Sequence, residues 1–119
     1  MKRYAVLTII LMLFIKTASA YFCPATENIQ CEDRHCHAEN ASGVWLGFSD
    51  SNGQSFQQVV NYHDKIGCFY YNQAGDIFEM DNVILNSLIM KPGLGPWEYN
   101  DTSAICYILN RCEFVITKE

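Results

Sequence analysis

The sequence predicts a mainly β protein, a small antiparallel sandwich or barrel held together by disulfides. Three observations lead to this fold class. All six cysteines of the 119-residue chain lie after residue 20. Short β-branched and aromatic runs alternate with turn residues at a spacing of roughly ten residues. A domain of about 100 residues has a marginal core, and disulfides supply the missing stability.

Residues 1–20 have the pattern of a secretory signal peptide. Lys2 and Arg3 form a positive start, residues 4–15 are an apolar run, and residues 18–20 (Ala-Ser-Ala) match a cleavage signal. The apolar run is too short for a bilayer, which needs about 20 residues. We therefore expect export, to the periplasm or outside the cell, with no membrane span in the mature chain.

The predicted mature chain, residues 21–119, is a single acidic domain. It keeps five of the eight basic residues and all thirteen acidic ones, which gives a net charge of −8. Nucleic acids and anionic membranes bind clustered Lys and Arg, so this charge argues against nucleic acid as a partner.

The first part of the mature chain is predicted to be a loop followed by a hairpin. Residues 31–40 are polar and rich in ionisable groups, and we interpret them as a loop held by cysteines. Residues 43–48 and 55–62 are predicted strands. Asn52-Gly53 between them is a favoured type I′ turn, so residues 43–62 are predicted to form a β-hairpin.

A second hairpin is predicted from residues 66–71 and 76–80, with residues 72–75 as its turn. Residues 81–90 fit a helix or a buried strand, because their apolar residues suit both periods. Two prolines and two glycines within residues 91–96 predict a break.

The C-terminal part is predicted to be extended. Residues 97–99 are predicted to be extended again after the break. The last two strands are predicted at 104–109 and 112–117. A tight turn near Asn110-Arg111 would join them.

The cysteines allow many pairings, and the sequence alone does not choose among them. They are Cys23, Cys31, Cys36, Cys68, Cys106 and Cys112. Spacing favours Cys31 with Cys36 and Cys106 with Cys112, which leaves Cys23 for Cys68. A two-residue turn would put Cys106 and Cys112 out of register, so other pairings stay open.

Short motifs follow one another in a fixed order along most of the mature chain. They are Cys23-Pro24, W-x-G at residues 45–47, C-x-Y at residues 68–70 and C-x-F at residues 112–114. This order resembles a family of small exported bacterial proteins known as a domain of unknown function. The resemblance implies export and a β-rich domain with disulfides, and it implies no reaction or ligand. Cys31 and Cys36 are extra to the pattern, which fits their pairing with each other.

Residues 31–39 contain the densest group of potential metal ligands. The thiols of Cys31 and Cys36 and the imidazoles of His35 and His37 are ligand types for zinc or copper. Ligands at consecutive positions do not converge on one ion without a distorted loop. We therefore interpret the cysteines as a disulfide and expect no cofactor, with His35 and His37 as an alternative weak metal site.

A small hydrolase is a further alternative. His63-Asp64 resembles half of a catalytic pair in which a carboxylate orients an imidazole. No nucleophile elbow accompanies it, so a polar turn is the preferred interpretation. Asp76, Glu79 and Asp81 are glycosidase residue types, but we expect Glu79 to point away from the other two, on a solvated edge.

Fourteen of the 99 residues in the predicted mature chain are aromatic, more than a small core takes up on its inward faces. Exposed rings bind sugars or protein pockets. Tyr70, Tyr71, Trp97 and Tyr99 are the predicted contact residues; Tyr70 and Tyr71 are the better candidates, and core packing is the preferred interpretation of Trp97. The preferred hypothesis is an exported, non-catalytic binding module whose partner is an unknown protein or glycan; whether the chain has any enzymatic activity stays open.

Overall fold

The computed structural model describes residues 21–83 and 88–118. The predicted signal peptide, residues 1–20, lies outside the described residues, as do residues 84–87 of the segment predicted as helix or strand. A short 3-10 helix, Thr26–Asn28, precedes the strands. The strands are β1 (Gln30–Glu32), β2 (His35–Asn40), β3 (Gly43–Phe48), β4 (Gly53–Tyr62), β5 (Lys65–Asn72), β6 (Ile77–Asn82), β7 (Leu88–Pro92), β8 (Glu98–Tyr99), β9 (Ser103–Cys106) and β10 (Phe114–Lys118).

Two antiparallel sheets make up the fold. The large sheet has eight strands in the order β1-β2-β3-β6-β5-β4-β9-β8, and the small sheet pairs β10 with β7. Every pairing between these strands is antiparallel. The predicted class, a mainly β antiparallel fold with disulfides, is confirmed.

The core lies on one face of the large sheet, which we call the inner face. Trp45 of β3 and Phe114 of β10 are fully buried, and their rings meet edge to face with centroids 5.9 Å apart. The Trp45 indole N–H is shared between Asn40 Oδ1 and Ser42 Oγ, each 3.1 Å away. The small sheet therefore covers the inner face of the large one, because Phe114 belongs to the first and Trp45 to the second.

The predicted second hairpin is confirmed, whereas the predicted first hairpin is wrong. β5 pairs with β6 across the turn at residues 73–76. β3 pairs with β2 and β6, and β4 pairs with β5 and β9, so β3 and β4 are not neighbours. Asn52 instead joins other segments. Its side-chain oxygen accepts the Cys31 N–H and its carbonyl accepts the Gln73 N–H.

Residues 31–40, predicted as a loop, form the hairpin of β1 and β2. Cys36 and Ala38 are buried while His35, His37 and Glu39 are exposed, which is the alternation of a strand with one buried face. The polar residues of the exposed face are the reason why the sequence did not predict this strand. The turn residues Asp33 and Arg34 both have positive φ, 52° and 70°, as a type I′ hairpin turn requires.

The last two strands do not form the predicted hairpin. β9 ends at Cys106, and β10 pairs with β7 rather than with β9. The Cys106–Cys112 disulfide closes a short loop in which the Arg111 and Cys112 N–H groups both donate to the Ile108 carbonyl. This loop carries the chain from the large sheet to the small one.

Three disulfides cross-link the domain in the arrangement that spacing favours. They join Cys23 to Cys68, Cys31 to Cys36, and Cys106 to Cys112. The Cys23–Cys68 bridge attaches the N-terminal segment to β5, a central strand of the large sheet.

The disulfides that close the longest and the shortest loop test how disulfides stabilise the fold. Cys23 and Cys68 are separated by 45 positions, Cys31 and Cys36 by 5. By loop entropy we expect Cys23→Ala with Cys68→Ala to cost about 4 kcal/mol and Cys31→Ala with Cys36→Ala about 2 kcal/mol. Urea unfolding of both double variants measures the difference, and an equal or reversed cost would contradict it.

Candidate functional site

The solvent side of the large sheet, which we call the outer face, carries large apolar side chains. Leu46 and Phe48 of β3 are 49% and 70% exposed, and Ile77 of β6 is 52% exposed. They alternate with the buried residues of the same strands, so their position follows from the period of two. Phe48 and Ile77 line one hollow. An antiparallel sheet with one covered face usually has a polar solvent side, whereas this one mixes polar residues such as His37 with large exposed apolar side chains.

A pair of carboxyl groups interrupts this apolar surface. Glu79 and Asp81 are two positions apart on β6 and share the outer face, and Asp81 lies opposite Leu46 of β3. The expectation that Glu79 would point away from Asp81 is wrong, because β6 continues through residue 82. Asp76 lies just before the strand.

The Glu79 carboxyl keeps its proton to a higher pH than an ordinary glutamate, and because this proton is hydrogen-bonded to Asp81 we call it shared. A hydrogen bond to Asp81, partial burial and the charge of Asp81 raise the pKa of Glu79 from 4.5 to about 7. The Glu79 carboxyl lies over Gly67 of β5, where an added Cβ would come within 2.3 Å of Glu79 Oε2. The missing side chain at Gly67 therefore makes room for the pair.

A pocket of about 420 Å³ adjoins the carboxyl pair, with Val60, Ile66 and Phe69 among its apolar lining. Among the described residues, the ion pairs are Arg34–Asp50 and Lys91–Asp64, so no described cation lies within 4 Å of Glu79 or Asp81. Lys65 also lines the pocket, but its ammonium donates to the Leu88 carbonyl, 3.3 Å away.

His63 and Asp64 form the turn between β4 and β5, with φ of 50° and 62°, so the interpretation as a polar turn is confirmed. The Asp64 carboxylate accepts a hydrogen bond from the Lys91 ammonium. The His63 ring packs on the Tyr62 ring, with centroids 4.0 Å apart. The carboxylate therefore serves an ion pair with β7, and this geometry does not favour a catalytic dyad.

The predicted metal ligands at residues 31–39 do not converge. Both thiols are in the Cys31–Cys36 disulfide, which excludes a thiolate site. His35 and His37 lie on the outer face of β2, and the His35 ring packs against Phe48. Within the described parts of the chain, no three His, Cys, Asp or Glu side chains are grouped to hold a metal ion.

The four predicted aromatic contact residues do not form one site. Tyr70 is wrong as a contact residue, because its ring is fully buried and its hydroxyl donates to the Pro24 carbonyl at 2.6 Å. Burial raises the pKa of this phenol. Trp97 is buried too, and its indole N–H donates to the Glu113 carbonyl. Tyr71 and Tyr99 are exposed, and they lie on opposite sides of the large sheet.

Sequence reasoning missed Leu46, Phe48 and Ile77. The signal for the first two was available, since residues 44–48 are apolar without interruption although an antiparallel strand usually alternates. The pairing of Glu79 with Asp81 also follows from the period of two, once β6 is known to reach Asn82.

Comparisons of the chain with protein-family models, with curated proteins and with solved structures find no match. The family resemblance therefore stays a prediction. In the described ranges, no helix has the length and apolar character needed to cross a membrane.

The shared proton predicts a pH dependence of stability. The folded pKa of Glu79 is about 7 and its ordinary value 4.5, so the unfolded chain releases this proton first. The stability contributed by the protonated pair is therefore lost as pH rises from about 4.5 to 7 and stays absent above that. Glu79→Gln should remove this loss, leaving stability at pH 4 unchanged and raising it at pH 8.

Thermal unfolding of both proteins between pH 4 and pH 8 measures this effect. Glu39→Gln, at an exposed glutamate of β2, is the matched control and should follow the wild type. A Glu79→Gln variant that loses as much stability as the wild type over this range would contradict proton sharing.

Proposed function

We propose that the chain is an exported, non-catalytic binding module, and that its partner is another protein that docks on the outer face. The observation that carries the proposal is the exposed apolar surface of Leu46, Phe48 and Ile77 on the solvent side of a sheet whose other side is already the core. Contiguous exposed apolar patches on small proteins mark interaction sites.

A protein fits this surface better than a glycan. Sugars are held by stacking on exposed aromatic rings, and the two exposed tyrosines of the predicted set lie on opposite sides of the sheet. Leu46, Ile77 and Val44 offer aliphatic surface instead, which is buried favourably by the apolar side chains of another protein.

The carboxyl pair specifies the chemistry of the partner. A Lys or Arg at the centre of the partner's apolar surface would contact Glu79 and Asp81. No described cation lies within 4 Å of these two carboxyls. Such a cation favours the state in which both carboxyls are ionised, so docking releases the shared proton. The net charge of −8 over residues 21–119 also attracts a basic partner over longer range.

The geometry of the polar groups supports a non-catalytic role. Glu79 and Asp81 are hydrogen-bonded to each other, whereas glycosidase carboxyls stand about 5 Å or more apart to accommodate the sugar bond. Asp64 is engaged by Lys91, so it does not orient His63 as a base.

Export is supported by chemistry as well as by the leader. Three disulfides and no free cysteine among the described residues suit an oxidising compartment. The motif order that resembles exported bacterial proteins agrees with this destination.

Site-specific photo-crosslinking in the exporting host tests the docking face. A benzoylphenylalanine at Leu46 or Ile77 should crosslink one and the same protein, because both positions lie under the docked partner. The same group at Tyr99, which is exposed on the opposite side of the sheet, should not. Purified partner should then lose about 30-fold in affinity on Leu46→Asp, as expected for a central apolar contact.

The same binding assay tests the carboxyl pair. Affinity should rise with pH between 6 and 8 in the wild type, and this rise should disappear in Glu79→Gln. Crosslinks to a second copy of the chain, crosslinks equal at the control position, or binding to glycan arrays that Leu46→Asp abolishes would each overturn a basic protein partner.

A further inference from the structure

Cys31 differs from the other five cysteines in its exposure. Those five are at most 5% exposed, whereas Cys31 is only half-buried. It belongs to β1, one of the two edge strands of the large sheet, and lies directly opposite Cys36 of β2. Of the three disulfides, Cys31–Cys36 is therefore the one that a solvent thiol reaches without unfolding the domain.

A pocket of about 450 Å³ lies beside this disulfide. Cys31 contributes to its wall together with Thr26, Ile29 and Asn52, and two carboxylates, Glu27 and Glu32, also line it. This volume is ample for a small molecule. Neither the pocket beside Glu79 nor the hollow at Phe48 has a cysteine in its lining.

We propose that Cys31–Cys36 is a thiol-exchange site, and that the pocket beside Cys31 accepts low-molecular-weight thiols of neutral or cationic type. The selectivity follows from the carboxylates of Glu27 and Glu32, which repel an anionic thiol and attract a cationic one. His37 is the one imidazole in the same lining and does not outweigh two carboxylates.

The exchange is an ordinary thiol–disulfide reaction. A thiolate attacks Sγ of Cys31, the disulfide breaks, and the bonding electron pair leaves with Cys36 as a thiolate that is then protonated. A second thiol attacks the mixed disulfide and releases Cys31. Two thiols are oxidised to their disulfide, and one protein disulfide is reduced to two thiols.

The rest of the domain tolerates this reaction. The Cys31–Cys36 loop is short, so its closure contributes much less chain-entropy stabilisation than that of Cys23–Cys68. β1 stays attached through its strand pairing with β2, the buried Ile29 and the bond from the Cys31 N–H to Asn52. Opening therefore changes the redox state of one edge and leaves the core intact.

Stepwise reduction of the folded protein tests the site. The three-disulfide protein is titrated with cysteamine, quenched with iodoacetamide and mapped by peptide mass spectrometry. The first two alkylated residues should be Cys31 and Cys36, while the other four cysteines stay unmodified. Opening of either other bridge at the same or a lower thiol concentration would overturn the proposal.

The charge of the thiol tests the pocket. With rates corrected to equal thiolate concentration, cysteamine should open the disulfide about tenfold faster than 3-mercaptopropionate at low salt, and high salt should close the gap. Glu27→Gln with Glu32→Gln should also close it, whereas the control Glu39→Gln should not. Equal rates for the two thiols in the wild type would overturn the selectivity without any variant being needed.

Discussion

The contact between Trp45 and Phe114 fixes which side of the large sheet is the core. Both rings are fully buried, and they come from different sheets. For them to meet, the chain must leave the large sheet after β9, and β10 must pair with β7 over the inner face. The Trp45 indole also depends on Asn40 and Ser42, which lie in and beside the β2–β3 turn. Once the inner face is closed in this way, Leu46, Phe48 and Ile77 on the opposite face stay largely exposed within the described part of the chain.

The sequence predicts local features well and strand partners poorly. Tyr62 to Lys65 and Asn72 to Asp76 connect strands that are neighbours in the sheet, because tight turns impose adjacency. Asn52-Gly53 has the same turn propensity, but the strands on either side of it, β3 and β4, do not pair. Its turn propensity is local, whereas the partners of β3 are set by the burial of Trp45 and Cys36 on a shared face. A pairing that depends on tertiary burial is not encoded in a dipeptide.

The candidate site shows the same limit. Three consecutive aromatics at residues 69–71 require rings on both sides of a strand, but the sequence does not say which side is core. The structure places Tyr70 inside and Tyr71 outside. The residues that form the outer face, Leu46, Phe48 and Ile77, look like core residues in sequence. Their exposure follows only from the eight-strand order, which leaves one broad face that the two-stranded sheet does not cover.

The outer face combines two features that are unfavourable for folding stability. Large apolar side chains are left in water, and two carboxyls without a described cation are held close enough to share a proton. Neither feature helps the chain to fold. The first loses the free energy of burial, and the second destabilises the folded state above neutral pH. Departures from local consistency of this kind concentrate at functional sites. A basic protein surface would relieve both at once, because it covers the apolar residues and supplies the missing cation.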